Sequence, residues 1–209
     1  NIKPVIAPPA IVNNSIGILI FTLDRCNAIF IKMRKPSLKN RRFSLCADAN
    51  GINTLTGLDD LCKKYITAET IMVELGCYMG VSTSLFSYYA KIVHTIDKKV
   101  KPHLLDDLNN VFHHQGDFED ILPKIRLLHS TVDMIYIDGE HDYESACKDI
   151  KATLPLINKN GFIAGHDYYK YEGYGDPNSQ VIEAVRDTLK VEPEVFSDSS
   201  WLIKLEELA

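Results

Sequence analysis

The chain has 209 residues, of which 45% are apolar and 24% charged, and a formal net charge of −5. A chain of that length buries about 70% of its unfolded surface, enough for one substantial core. Nine prolines and eleven glycines are ordinary usage, so collagen-like and low-complexity chains are excluded, and the apolar content excludes intrinsic disorder.

The first 66 residues read as an N-terminal extension. Its longest apolar run, Ile16 to Leu23, stops at Asp24 and Arg25 and falls far short of the roughly 20 residues a membrane span needs, so no membrane partner is expected. No basic-then-apolar leader opens the chain, although a first residue of Asn1 is consistent with trimming. The run from Ile16, a polar Asp24-Arg-Cys-Asn turn and the stretch after it suit a hairpin. Lys32 to Arg42 then holds six basic residues and no acid, which suits a solvated loop or a surface for an anionic ligand. The acidity of the remainder argues against nucleic acid as the main partner. Leu58, Leu61, Cys62 and Tyr65 mark one face of a short helix. This extension would serve as a lid or as the contact of a homo-oligomer. The five cysteines are odd in number and lack a C-x-x-C spacing, and they read as reduced thiols of a cytoplasmic protein.

From residue 67 to 209 the texture becomes a regular alternation. Strands are expected at Ile71–Leu75, Ile92–Ile96, Val111–His114, Val132–Ile137 and Phe162–Gly165. Helices are expected at Ser82–Tyr89, Lys99–Asn109, Glu119–His129, over the face marked by Tyr143, Ala146, Ile150 and Thr153, and at Val181–Leu189. Pro155 should stop the fourth of these, and Glu194–Phe196 with Trp201–Leu205 should close the chain as a β pair. Short strands that are apolar on both faces and alternate with helices imply an α/β fold: a Rossmann-like, doubly wound, mainly parallel sheet with a C-terminal antiparallel pair.

Such sheets bind ligands beyond the carboxyl ends of their strands. Glu74, Asp97, Asp117, Asp138 and Asp167 all fall at or just past those ends. Glu74-Leu-Gly76-Cys-Tyr78-Met-Gly80 follows a strand and opens a helix, and Asp97 lies 21 residues after Gly76, where an acid commonly accepts from a ribose diol. Tyr78 stands where a dinucleotide fingerprint needs its middle glycine, and Glu74 is a poor neighbour for pyrophosphate but suits an ammonium.

On these residues the chain resembles class I S-adenosylmethionine-dependent methyltransferases. Val73-Glu-Leu-Gly-Cys-Tyr-Met-Gly-Val-Ser82-Thr is similar to their first motif, Asp97 to their ribose-binding acid, and Gly116-Asp117-Phe118 to their adenine-side motif. The resemblance implies S-adenosylmethionine as cofactor, held by Glu74, Gly76, Tyr78, Gly80, Ser82, Asp97, Asp117, Phe118 and Asp138. Asp138 and Asp167, 29 residues apart, resemble the paired carboxylates that hold Mg²⁺, or another divalent cation, in small metal-dependent O-methyltransferases of the catechol and macrolide-sugar kind. In that resemblance His141, three residues beyond Asp138, is the general base, and the acceptor is a hydroxyl of a small molecule or glycan. The departure is Tyr168, where catechol enzymes place a third ligand. His166 is expected to point away from Asp167 if the strand alternates, and the tyrosines at 168, 169, 171 and 174 suit a substrate wall. Two other readings share these residues. An NAD-dependent oxidoreductase is opposed by the missing middle glycine, whereas a non-catalytic S-adenosylmethionine-binding module is favoured by Tyr168.

Overall fold

The computed structural model describes residues 55–169 and 179–208. The hairpin and basic run expected before residue 55, and the aromatic loop after Tyr169, lie outside these residues. In chain order the elements are α1 (Thr56–Tyr65), β1 (Ile71–Leu75), α2 (Val81–Tyr89), β2 (Ile92–Asp97), β3 (Val111–Gln115), α3 (Phe118–His129), β4 (Val132–Ile137), α4 (Tyr143–Thr153), β5 (Ile157–Gly165), α5 (Val181–Leu189), β6 (Glu194–Val195) and β7 (Trp201–Lys204).

The strands form one seven-stranded sheet in the order β3-β2-β1-β4-β5-β7-β6. The first five are parallel and β7 is antiparallel to both its neighbours, which is the doubly wound sheet with an antiparallel end that the sequence pattern implied. Two apolar layers explain why the central strands are hydrophobic on both faces. Val73, Leu75 and Ile135 pack toward Ile125, Ile150 and Val185 of α3, α4 and α5. Met72, Val93 and Met134 pack on the other side toward Leu61, Cys62, Leu85 and Phe86 of α1 and α2. α1 is tied to the far edge of the sheet, because the Leu58 amide donates to Asp198 at 2.7 Å and Lys64 pairs with Glu194 at 2.7 Å.

Two expectations differ from the structure. Lys99–Asn109 is not a helix; a single 3₁₀ turn, His103–Leu105, follows Pro102, whose ring fixes an extended φ of −67°. Leu105 is nevertheless buried, and it closes against Gly80. β5 starts at Ile157 rather than Phe162, and the pairing register shifts between Val132 and Met134 to admit its Asn158-Lys-Asn start. The helix before Pro155 ends at Thr153 as expected, and the proline sits in a 3₁₀ turn. Among the described residues no helix is long and apolar enough to cross a membrane.

Candidate active site

The register fixes where the acids stand. Ile137 is level with Leu75 and with Gly165, and Leu75 with Ile96. The ladder continues one residue past each strand: Gly76 donates to Ile96, Asp138 to Leu75, His166 to Ile137 and Gly116 to Asp97, all between 2.8 and 3.0 Å. Asp97, Asp117, Asp138 and Asp167 therefore leave the sheet on one rim.

At the β1 end the chain turns through Gly76 (φ +83°), Tyr78 (φ +43°) and Gly80 (φ +80°). A Cβ on Gly76 would lie 2.0 Å from the Asp138 carbonyl oxygen, so only glycine allows β1 and β4 to stay paired there. Asp97 holds the turn: Oδ2 accepts from the amides of Cys77 (3.1 Å) and Tyr78 (2.9 Å), and Oδ1 from that of Lys99 (2.8 Å). Burial opposes ionisation of Asp97, but these three N–H donors outweigh it and hold its pKa below the usual carboxylate range. One lone pair on Oδ1 remains for a ligand hydroxyl. The Tyr78 side chain is exposed, with the Lys99 ammonium 4.9 Å from its ring centre.

Glu74 lies beneath the turn and is fully buried, its two oxygens taken by the hydroxyls of Ser82 and Thr83. Burial raises its pKa to about 7 despite those bonds. Glu74 and Ser82 thus face each other at the start of α2. Asp117 is exposed and precedes α3, 3.5 Å from the Lys98 ammonium. Phe118 brings its ring edge to within 3.1 Å of where a Cβ of Gly139 would stand, so the segments that follow β3 and β4 meet there.

Beyond β4 and β5 lies a narrow cleft lined by Asp138, Glu140, His141, His166, Asp167 and Trp201. One ligand atom each from Asp138, His141 and Asp167 lie within 4.8 Å of one another. His141 Nε2 is 2.8 Å from Asp167 Oδ2. Two carboxylates and an imidazole this close fit a divalent cation, which prefers a few such donors supplemented by water and substrate oxygens. Burial raises the pKa of Asp138 to about 6, the nearby His166 and Asp167 acting in opposite directions. Burial acts the same way on Asp167, but hydrogen bonds from His141 and His166 outweigh it and hold that carboxyl far below its ordinary range.

His166 is a correction to the alternation argument. Its Nδ1 is 3.3 Å from Asp167 Oδ1, inside the cleft. Burial disfavours its charge, yet the bond to Asp167 and the field of Asp138 raise its pKa to about 9. Strand alternation fails here because β5 ends at Gly165 and Asp167 takes a left-handed backbone (φ +65°), a conformation uncommon for residues other than glycine.

The family described as "Methyltransferase domain" matches residues 73–168, from the middle of β1 to the residue after Asp167. Residues 73–168 are thus similar to a methyltransferase domain over a little under half of the chain. An uncharacterized protein of Acanthamoeba polyphaga mimivirus is 25% identical over 130 residues, 54% of this chain and 58% of that protein. Among solved structures, the apo form of a TDP-rhamnose 3'-O-methyltransferase of calicheamicin biosynthesis is similar with a TM-score of 0.58 and 13% identity, over 79% of this chain and 84% of that one. MycE methyltransferase from the mycinamycin pathway, in complex with Mg, SAH and mycinamycin VI, gives a TM-score of 0.52 at 18% identity over 70% of this chain and 48% of its own. The chain thus spans about half the length of MycE and little more than half of the mimivirus protein. The resemblance to S-adenosylmethionine-dependent methyltransferases and the Rossmann-like fold are both borne out.

Two features of this region had no signal in the sequence. Tyr169 turns back to donate a hydrogen bond to Asp167, while Tyr168 is buried and bonds Glu192 at 2.9 Å, away from the cleft. Behind the rim, buried His94 of β2 bridges His114 of β3 (Nδ1 to Nε2, 2.9 Å) and His129 of α3 (Nε2 to Nε2, 2.8 Å). These residues are distant in sequence, and only strand register and the end of α3 bring them together.

Proposed function

We propose that this chain transfers a methyl group from S-adenosylmethionine to a hydroxyl of a small molecule or sugar, with a divalent cation, Mg²⁺ or one like it, at Asp138 and Asp167. The observation that carries the reading is the single rim, with the glycine turn and Asp97 at the end of β1 and β2, and the carboxylate–imidazole cluster at the end of β4 and β5. Two similar structures support it: one is a TDP-rhamnose 3'-O-methyltransferase, and another holds Mg, SAH and mycinamycin VI.

In this reading the Gly76–Gly80 turn lets cofactor approach the backbone, Asp97 accepts from the ribose, and Asp117 with Phe118 takes the adenine side. Glu74, held by Ser82 and Thr83, keeps the turn in place from below. Asp138 and Asp167 would hold the cation, which lowers the pKa of a bound hydroxyl toward neutrality. His141 takes the proton released from the acceptor, and the adjacent Asp167 carboxylate orients its ring and favours the imidazolium that results. Holding acceptor and sulfonium in line on one rim supplies much of the rate. The buried free thiols Cys62, Cys77 and Cys147 suit a reducing compartment, and we place the enzyme in the cytoplasm.

The test is a screen of hydroxyl acceptors, nucleotide sugars first, with S-adenosylmethionine and with or without EDTA. Methylated product that disappears on chelation, while SAH binding persists, is the expected result. Turnover unchanged by chelation removes the cation from the mechanism.

A further inference from the structure

We propose that Tyr169 is a positioning residue for Asp167, fixing which carboxylate oxygen faces the cation; the inference rests on the cation reading above. The backbone makes the arrangement possible. The left-handed turn at Asp167 (φ +65°) sends Tyr168 into the core, where its amide donates to the Ser199 carbonyl at 3.0 Å and its hydroxyl to Glu192 at 2.9 Å. The next residue returns, and the Tyr169 hydroxyl donates to Asp167 Oδ1. The tyrosine that occupies the expected third-ligand position therefore leaves the site, and its neighbour supplies a donor instead.

Lone-pair counting gives the consequence. A carboxylate offers about four acceptor positions, two on each oxygen. Oδ1 accepts from the Tyr169 hydroxyl and lies 3.3 Å from His166 Nδ1, so both of these groups crowd that oxygen. Oδ2 receives His141 Nε2 at 2.8 Å and keeps one position. That oxygen is the one beside His141, which with Asp138 makes up the rest of the cation cluster. Asp167 is buried, so a rotated carboxylate would meet no water to satisfy it. Tyr169 thus selects Oδ2 for the cation and leaves Oδ1 to the protein. Residues that orient a metal-binding carboxylate are typically worth a factor of about 10–100 in metal affinity.

The experiment is Mn²⁺ titration of the full chain followed by electron paramagnetic resonance, with SAH binding measured by calorimetry alongside. Tyr169→Phe should weaken Mn²⁺ binding by about tenfold or more and broaden the bound-Mn²⁺ spectrum, while SAH affinity stays within about twofold. Tyr168→Phe, which loses a hydroxyl directed at Glu192 and Arg186, should leave both the Mn²⁺ affinity and the spectrum unchanged. Tyr169→Phe holding Mn²⁺ as tightly as the unsubstituted chain, with an identical spectrum, while Asp167→Asn loses it, overturns the role of Tyr169 and leaves the cation site standing. Mn²⁺ binding that is absent, or indifferent to Asp138→Asn and Asp167→Asn, overturns the cation reading and the role of Tyr169 with it.

Discussion

Acid should weaken this fold through His94, by an amount the geometry sets. His94 is 3% exposed, stacks on Phe112 and has both ring nitrogens bonded to other imidazoles; His113 and Lys124 face its partner His114. Three imidazoles sharing two hydrogen bonds have one proton in each bond and two outer nitrogens, so the trio accepts a single extra proton with both bonds intact. Burial, and then the neighbouring His114 and His129, push the pKa of His94 down to about 3. Burial also lowers the pKa values of His114 and His129. A histidine in the unfolded chain titrates near 6.5. The folded state therefore binds fewer protons than the unfolded one between pH 6.5 and 3. The stabilising contribution is whole above pH 6.5 and is lost as pH falls through that window. At pH 5 the unfolded chain gains a factor of about 30 from protonating this one residue, which costs the fold about 2 kcal/mol. For a chain of this length that corresponds to a fall in melting temperature of about 4–8 °C. The assay compares urea or thermal unfolding at pH 7.5 and pH 5.0 in the unsubstituted chain and in His94→Gln. Carboxylates elsewhere titrate equally in both, so the loss on acidification should be about 2 kcal/mol smaller in the variant. Equal losses in the two proteins refute the reasoning.

Other substitutions probe the rim directly. Gly76→Ala forces a Cβ to within 2.0 Å of the Asp138 carbonyl in a left-handed backbone that alone costs about 1–2 kcal/mol; it should lower the melting temperature and weaken SAH binding more than tenfold by calorimetry. Asp97→Ala removes the acceptor for three backbone amides and for the ribose, and SAH affinity should drop severely; a negligible change removes the nucleoside assignment. His141→Ala should reduce kcat by about 10²–10⁴ in a steady-state assay while the cofactor Kd stays within a few-fold, as expected for a proton acceptor.

Much of the fold was legible because buried parallel strands show as compact apolar runs. β1, β2 and β4 are buried almost throughout, and each ends at an acid or a glycine turn that the sequence displays. What failed was local. The stretch Lys99–Asn109 has helical spacing, but Pro102 limits it to one turn, and its apolar residues are explained by Leu105 closing against Gly80. Asn158-Lys-Asn lies before the expected strand, yet it pairs as the irregular start of β5. In the candidate site, Asp97, Asp138 and Asp167 were readable from position, since strand ends converge in any doubly wound sheet, and His141 from the family resemblance. The orientation of His166 and the return of Tyr169 were not, because both follow from one left-handed residue that period-two reasoning does not anticipate. The imidazole trio was equally hidden, since His94 and His129 are 35 residues apart and meet only through packing of α3 on β2.

The most direct test is a crystal structure of the full chain soaked with SAH and Mn²⁺. Nucleoside density against Asp97 across the Gly76–Gly80 turn, with a single Mn²⁺ peak between Asp138 and Asp167 in the adjoining cleft, is the predicted outcome. Density for either group bound elsewhere, or Asp138 and Asp167 turned apart with no ion between them, contradicts it.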